Sequence, residues 1–129
     1  MPPKIEKVVT FPWDERRGSS EAIRVGDLVF VSGQGPIGED GEVLFPRDSA
    51  AQAEKTFANL KGVLEAAGSR LDLVLKTTTY LSDTRATADV EECRRKYFSE
   101  PYPTDTTIVV APLGQVGLLL KIDAVALAS

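Results

Sequence analysis

Few side chains in this sequence suit acid–base or nucleophilic chemistry. The chain has no histidine and a single cysteine, Cys93. The common zinc, haem and blue-copper sites need histidine or several cysteines, and the Ser-His-Asp and Cys-His arrangements need histidine as the base. We therefore expect no metal site, and we expect any catalysis to use carboxylates, lysine, hydroxyl groups or water.

Lys121 is a candidate for such chemistry because it follows three leucines in a predicted strand. Burial of a lysine disfavours the charged form and lowers its pKa, so a buried Lys121 could form a Schiff base or act as a general base. Its ammonium group could instead hold an anionic group of a substrate, or it could belong to a structural ion pair. The sequence leaves these three roles open.

Two other side chains have both a chemical and a structural interpretation. Cys93 shares an apolar helical stripe with Val90 and Tyr97, which favours a buried hydrophobic residue over a nucleophile. Trp13 could form an aromatic lid over a cleft, or it could anchor a surface or an interface. Neither residue is placed in the predicted site.

The elements that would position these residues follow from periodicity and turn signals. Apolar residues at steps of three and four predict a helix over residues 49–67, with Ser49 and Gln52 as a capping box and Gly68 at the C′ position. A second stripe, from Ala86 to Tyr97, predicts another helix. Strands are expected over residues 5–10, 21–24, 28–32, 71–81, 106–111 and 118–127, with a hairpin turn at 39–42, which gives the order β-β-β-α-β-α-β-β.

The predicted strands over residues 28–31, 106–111 and 118–127 are apolar on both faces rather than alternating. Both faces of the sheet must then be covered. Two helices can cover only one face, and in a chain this short another copy of the chain is the simplest cover for the second. The pattern therefore predicts an oligomer, although it does not give the number of copies.

The composition describes one soluble α/β domain spanning residues 1–129. The chain is 43% hydrophobic and 26% charged, with a net charge of −4 and a pI of about 4.9. This acidic balance disfavours nucleic acid and anionic lipid as partners. No apolar stretch approaches the roughly 20 residues that span a bilayer. Because the first residues carry charges instead of an apolar core, we expect a cytoplasmic location without a signal peptide.

The order and spacing of several segments resemble the RidA/YjgF family. These segments are VFVSGQGPI at 29–37, AQA at 51–53, NLK at 59–61, VLEAAG at 63–68, KTTTYLSD at 76–83 and IDAVA at 122–126. The resemblance implies a chorismate-mutase-like α+β fold, a mixed sheet of about six strands with two helices on one face, and a homotrimer with a small-molecule cleft at each subunit interface. It also implies hydrolysis of reactive enamines and imines to keto acids and ammonia without a cofactor.

The residues that the family uses are only partly present. Ser32 and Gly33 match, and they can offer a hydroxyl group and a backbone N–H to a ligand. The family's cleft uses an arginine fork on the substrate carboxylate and a glutamate that positions water. In this sequence Asp105 replaces that arginine. Lys121 replaces a glutamate of the family pattern, and Ser19 replaces a tyrosine.

The exchanged charges leave several functions open. Asp105 would repel a substrate carboxylate, yet a salt bridge between Asp105 and Lys121 could survive the exchange. The hydroxyl groups of Thr106 and Thr107 could orient water or a substrate oxygen, although strand threonines commonly serve packing.

We therefore consider three functional hypotheses. The first is an enzyme that hydrolyses an unstable enamine or imine, with Lys121, Asp105 and Ser32 as catalytic residues and with binding residues Gly33, Thr106, Thr107 and Ser19. The second is a non-catalytic trimer that binds a small ligand or a partner protein. The third is the ribonuclease activity attached to some family members by name, which here lacks both a basic surface and a histidine base.

Overall fold

Six strands form one mixed sheet in the computed structural model, which describes residues 2–11, 13 and 15–129. The elements in chain order are β1 (Ile5–Val8), β2 (Ala22–Val25), β3 (Leu28–Gln34), α1 (Ser49–Ala66), β4 (Val74–Leu81), α2 (Thr87–Tyr97), β5 (Thr104–Val109) and β6 (Leu120–Leu127). The strand order across the sheet is β1-β2-β3-β6-β4-β5. Only β4 and β5 pair in parallel among the described strands. The predicted α+β class and element order are confirmed.

The strand boundaries differ from the prediction where local hydrogen bonds turn the chain away from the sheet. Strand β4 begins at Val74 because Leu71–Leu73 form a 3-10 turn. Strand β6 begins at Leu120 and not at Leu118. The amide of Leu118 donates to the carbonyl of Gln115, and the amide of Leu119 donates to the side chain of Gln52. β5 covers residues 104–109 rather than 106–111.

The N-terminus of α1 is capped one residue earlier than the capping-box pattern predicts. The side chain of Asp48 accepts the hydrogen bond from the amide of Ala51, at 3.0 Å. Ser49 instead bonds to Asp89 of α2, and Gln52 bonds to loop backbone. The capping box was therefore wrong. The predicted C-terminus is confirmed, since Gly68 has φ = +81°.

Both helices pack on one face of the sheet, which we call the helix side. Phe57, on α1, is fully buried there, and its ring stacks on Tyr97 of α2 with ring centroids 5.5 Å apart. Cys93 is buried and free, as predicted, and burial raises the pKa of its thiol to about 11. Buried apolar strand residues of this face include Val29, Val31, Leu81, Leu120, Ile122, Ala124 and Ala126.

The opposite face of the sheet, which we call the helix-free face, carries apolar side chains that stay accessible. Phe30 is 43% exposed and Ile108 is 41% exposed, and Val125 between them is half-buried. This pattern agrees with the expectation that two helices cover only one face. The copy of the chain expected on the other face stays a prediction. No helix in the described part of the chain is long and apolar enough to cross a membrane.

Candidate functional site

A cleft of about 710 Å³ opens on the helix-free face, and three of the predicted site residues line it. Ser19, Ser32 and Gly33 lie on its wall together with the carboxylate-bearing Asp123. We call this the open-face cleft, and its remaining lining residues are Glu15, Gly18, Ser20, Ile23, Phe30, Val31, Ala124 and Val125. The sequence-based prediction therefore grouped residues that the fold does bring together.

The loop before β2 and the end of β3 fix the hydroxyl group of Ser32. Its amide donates to the carbonyl of Glu21 at 2.9 Å, and its Oγ donates to the carbonyl of Ser20 at 2.7 Å. With its proton directed to Ser20, the hydroxyl oxygen keeps its lone pairs for a hydrogen bond from a ligand or a water. The same loop is tied by Trp13, whose Nε1 donates to the carbonyl of Ser19 at 2.9 Å. Trp13 itself does not line the cleft.

The turn after Gly33 is held from α1. Nδ2 of Asn59 donates to the carbonyls of Gly35, at 2.8 Å, and Ile37, at 3.0 Å. A Cβ at Gly35 would lie 3.3 Å from Leu118 Cδ1 and 3.4 Å from the carbonyl oxygen of Leu120, so this close approach favours glycine. The end of β3 is therefore held by the hydrogen bonds of Asn59 and by the close packing that glycine at position 35 allows.

Lys121 lies beside this turn on the helix-free face. A Cβ at Gly33 would be 3.5 Å from Lys121 Cδ, so the aliphatic part of the lysine runs along the glycine backbone. The residue is half-buried and not buried as the preceding leucines suggested. Within the described residues it forms no ion pair. Its ammonium group is therefore available to a ligand.

A second polar pair lies next to Lys121 on the same face. The hydroxyl group of Tyr80 donates to Asp123 Oδ2 at 3.2 Å, and Tyr80 pairs with Lys121 in the sheet register. The negative charge of Asp123 raises the pKa of Tyr80, and burial and the hydrogen bond add to the effect. Tyr80 therefore stays a neutral hydrogen-bond donor to the carboxylate that lines the open-face cleft.

Asp105 lies on the helix side, away from the open-face cleft. Its register partner in β4 is the buried Thr77. Oδ1 accepts from the hydroxyl groups of Thr77 and Thr79, at 2.7 and 2.8 Å. Oδ2 accepts from Thr107 at 2.6 Å and from Arg94 Nη2 at 2.8 Å.

The salt bridge that the exchanged charges could have preserved between Asp105 and Lys121 does not form within one chain. Successive residues of a strand point to opposite faces, and the register places these two on different faces. The cation that pairs with Asp105 is Arg94 of α2. Burial alone would raise the pKa of Asp105, but hydrogen bonds from the three threonines and the charge of Arg94 outweigh it and hold the pKa below its usual value.

The two threonines after Asp105 lie on opposite faces of the sheet. Thr107 points to the helix side, where its hydroxyl group contacts Asp105 and Arg94 Nη2. Thr106 pairs with Thr78 on the helix-free face and is exposed. The predicted site thus divides into a helix-side group, Asp105 and Thr107, and a helix-free group, Ser19, Ser32, Gly33, Thr106 and Lys121.

Sequence reasoning missed Arg94, Tyr80 and Asp123 as site residues. A signal existed for Arg94, which comes four residues after Val90 and directly after Cys93 on the buried stripe of α2. An arginine at the edge of an apolar stripe indicates a partly buried partner. No comparable signal marked Tyr80, because its contact with Asp123 spans 43 positions in the chain.

The described residues contain no group of three or more histidine, cysteine, aspartate or glutamate side chains that could hold a metal ion. The open-face cleft presents hydroxyl groups, the carboxylates of Glu15 and Asp123, and the neighbouring ammonium group of Lys121.

Comparison with known proteins gives a consistent set of relatives. The family model described as Endoribonuclease L-PSP matches residues 15–128. A RutC family protein from Pyrococcus abyssi is 35% identical over 107 residues, which is 83% of this chain and 84% of the relative. The 2-iminobutanoate/2-iminopropanoate deaminase of Escherichia coli is 32% identical over 110 residues, which is 82% of this chain and 84% of the relative.

Solved structures agree with these sequence relatives. RidA from an Antarctic Psychrobacter species superposes with a TM-score of 0.84 at 31% identity, covering 95% of this chain and 98% of that one. A putative endoribonuclease from Thermotoga maritima gives a TM-score of 0.86 at 31% identity, with 96% and 98% covered.

Proposed function

Because the chain belongs to the RidA/YjgF family, whose model is described as Endoribonuclease L-PSP, we propose that it hydrolyses a small reactive enamine or imine. One observation carries the proposal: the open-face cleft brings Ser19, Ser32 and Gly33 together and places Lys121 beside them. The relative named 2-iminobutanoate/2-iminopropanoate deaminase supports this class of reaction.

The proposed reaction adds one water across the C=N bond of an imine and releases a carbonyl compound and ammonia. Ser32, whose proton is directed to Ser20, accepts a hydrogen bond from the attacking water. Asp123 takes the proton of that water as the C–O bond forms, and the ammonium group of Lys121 gives a proton to the imine nitrogen. The C–N bond of the resulting carbinolamine then breaks. The hydroxyl proton of the carbinolamine moves to its nitrogen, which leaves as ammonia, and the proton held by Asp123 returns to Lys121.

We further propose that the complete site forms between copies of the chain in a homotrimer. The predicted residues lie on two faces of one sheet, and a single chain cannot bring Asp105 and Lys121 together. The accessible Phe30 and Ile108 would be buried by a neighbouring copy. Light scattering of the purified protein tests this proposal, because a monodisperse monomer would contradict it.

The decisive assay measures ammonia release from 2-iminobutanoate generated in place by a pyridoxal-phosphate enzyme. We expect release above the buffer background, and we expect Lys121→Ala and Ser32→Ala to lower it at least tenfold. Lys61→Ala, an exposed lysine on α1, is the matched control and keeps full activity. If the correctly assembled wild-type protein shows no release, the proposed reaction is wrong.

A non-catalytic, ligand-binding trimer is the second candidate, because Asp105 replaces the arginine that the resemblance implies. Ligand binding without ammonia release would support it. Ribonuclease activity, as in the description of the family model, has less support because the net charge is −4. Absence of a cofactor and a cytoplasmic location stay predictions, and the single free cysteine is compatible with a reducing compartment.

A further inference from the structure

The carboxylate of Glu21 is fully buried next to the open-face cleft. Glu21 directly precedes β2, and Ser20 before it and Ile23 after it both line the cleft, whereas Glu21 itself does not. None of the ion pairs between described side chains includes it, and the mechanism proposed above does not use it. Burial of a carboxylate is costly unless its oxygens find donors, so the groups that it contacts are informative.

Both oxygens of the Glu21 carboxylate bind one residue, Thr10, which lies beyond the end of β1. Oε1 accepts from the backbone amide of Thr10 at 2.7 Å, and Oε2 accepts from the hydroxyl group of Thr10 at 2.8 Å. The two residues are eleven positions apart in the chain. The carboxylate therefore joins the two ends of the connection between β1 and β2, which we call the 10–21 loop.

The C-terminal end of the 10–21 loop holds Ser32. The backbone carbonyl of Glu21 accepts from the amide of Ser32 at 2.9 Å, and the carbonyl of Ser20 accepts from Ser32 Oγ at 2.7 Å. The position of the Ser20 carbonyl decides where the proton of Ser32 points, and therefore which side of its oxygen is open to the cleft. A displaced loop would leave the hydroxyl group of Ser32 free to rotate.

We propose that Glu21 is a positioning residue of the open-face cleft, which holds the carbonyl of Ser20 in place and thereby directs the hydroxyl group of Ser32. A carboxylate only accepts hydrogen bonds, so it fixes both the amide and the hydroxyl group of Thr10 as donors. That the directed hydroxyl group serves imine hydrolysis rests on the proposed function. The positioning of the cleft wall does not.

The rate of ammonia release by Glu21 variants tests this role. Glu21→Ala removes both acceptors and should lower kcat about tenfold with KM changed less than about twofold, because Ser32 orients the attacking water. Glu21→Gln is the conservative variant. Its oxygen can accept from the amide of Thr10 while its amide nitrogen donates to the rotated hydroxyl group of Thr10, so kcat should return to within about twofold of the wild-type value.

A double-mutant cycle tests whether Glu21 acts through Ser32, because two residues that share one effect are not additive. Glu21→Ala should lower kcat about tenfold in the wild type but less than about twofold in Ser32→Ala. Thr10→Val, which keeps the backbone amide and removes the hydroxyl donor, should give the same pattern with a smaller loss, and it carries the test if Glu21→Ala does not fold. An equal loss in both backgrounds, or no loss in either, would overturn the inference.

Trp13 gives a second readout that needs no reaction. It is the only tryptophan of the chain, and within the 10–21 loop its Nε1 donates to the carbonyl of Ser19. Acrylamide should quench its fluorescence more strongly in Glu21→Ala than in the wild type, with the wild-type value restored in Glu21→Gln. The control is Ser69→Ala, which removes another buried hydrogen bond, to the carbonyl of Leu127, outside the cleft. It should change neither the quenching nor kcat.

Failure of this inference and failure of the proposed function give different results. If the wild type releases no ammonia but Glu21→Ala exposes Trp13 and Ser69→Ala does not, the proposed reaction is removed and the positioning role is kept. Ammonia release with wild-type kcat and wild-type Trp13 quenching in Glu21→Ala would keep the reaction and remove the positioning role.

Discussion

Asp105 and Lys121 lie on opposite faces of the same sheet, Asp105 with the helices and Lys121 away from them. Their exchange of charge relative to the family pattern therefore preserves no salt bridge within one chain. Each residue instead belongs to its own cleft, Asp105 with Arg94 and Lys121 beside Gly33. This separation is the reason that we assign the complete site to an interface between copies.

Asp105→Asn should destabilise the protein in a pH-dependent way. The pKa of Asp105 is lowered in the fold, so its ionised form contributes stability above the unfolded value of about 3.9, and this contribution is lost as the pH falls through the lower folded pKa. We expect a loss of about 1–3 kcal/mol at pH 7 that shrinks below about pH 4. Urea unfolding at a fixed protomer concentration and at several pH values measures this loss of unfolding free energy.

The matched control is Asp72→Asn, which removes an exposed ion pair with Arg70. Solvent screens such pairs, so the change in stability should be small at every pH. Equal losses for Asp105→Asn and Asp72→Asn at pH 7 would contradict the role given to the threonine and arginine network around Asp105.

Two glycine substitutions should change the stability of the fold in opposite directions. Gly62 lies exposed within α1, and a Cβ there would meet no atom within 4 Å, so Gly62→Ala should stabilise by about 0.5–1 kcal/mol through helix propensity. Gly35→Ala places a Cβ against Leu118 and the backbone of Leu120, so it should destabilise. Thermal melts of the two variants and the wild type test both predictions. A shift of the melting temperature in the same direction for both variants would contradict the packing described at the turn.

Asn59→Asp should loosen the turn that carries Gly33. The substitution keeps the shape of the side chain but removes the donors to the carbonyls of Gly35 and Ile37. Leaving these carbonyls unsatisfied beside a carboxylate should cost about 2–3 kcal/mol. Urea unfolding tests the loss, with Lys61→Ala on the same helix as the control. An unchanged midpoint for Asn59→Asp would show that the turn does not depend on this side chain.

Cys93 should resist thiol reagents in the native protein. Its sulfur is buried and its pKa is raised to about 11, so the thiolate fraction at pH 8 is small. Iodoacetamide at pH 8 should modify it slowly in buffer and completely in denaturant, as read by mass spectrometry. Rapid native modification would contradict the packing of α2 against α1.

The sequence predicted the order of elements because that order depends on local periodicity and turn residues. The stripe from Ala53 to Leu64 and the turn at Gly68 needed no distant contact to be recognised. The prediction of the N-cap was wrong because Asp48 is as suitable a capping residue as Ser49. The choice between them depends on the hydrogen bond of Ser49 to Asp89, which lies forty positions from Ser49 in the chain.

The candidate site was predictable only in part. Ser32, Gly33 and Ser19 were chosen because they occupy positions that the family resemblance assigns to the site, and all three line the open-face cleft. The face on which Asp105 lies depends on the parallel register of β4 and β5, which the sequence alone did not supply. Its partner Arg94 was missed although it lies at the edge of the apolar stripe of α2, because that stripe does not identify the acidic partner.

The most direct test of a site shared between copies is a mixing experiment with ammonia release as the readout. Lys121→Ala and Asp105→Asn proteins, each of which lacks one half of the shared site and is expected to be poorly active alone, are unfolded together in equal amounts and refolded beside wild type treated identically. In a random mixed trimer about one interface in four joins two intact halves, so we predict recovery of about a quarter of the refolded wild-type rate. No recovery above the separate variants, with refolded wild type active and the mixed assemblies formed, would contradict a site built from two chains.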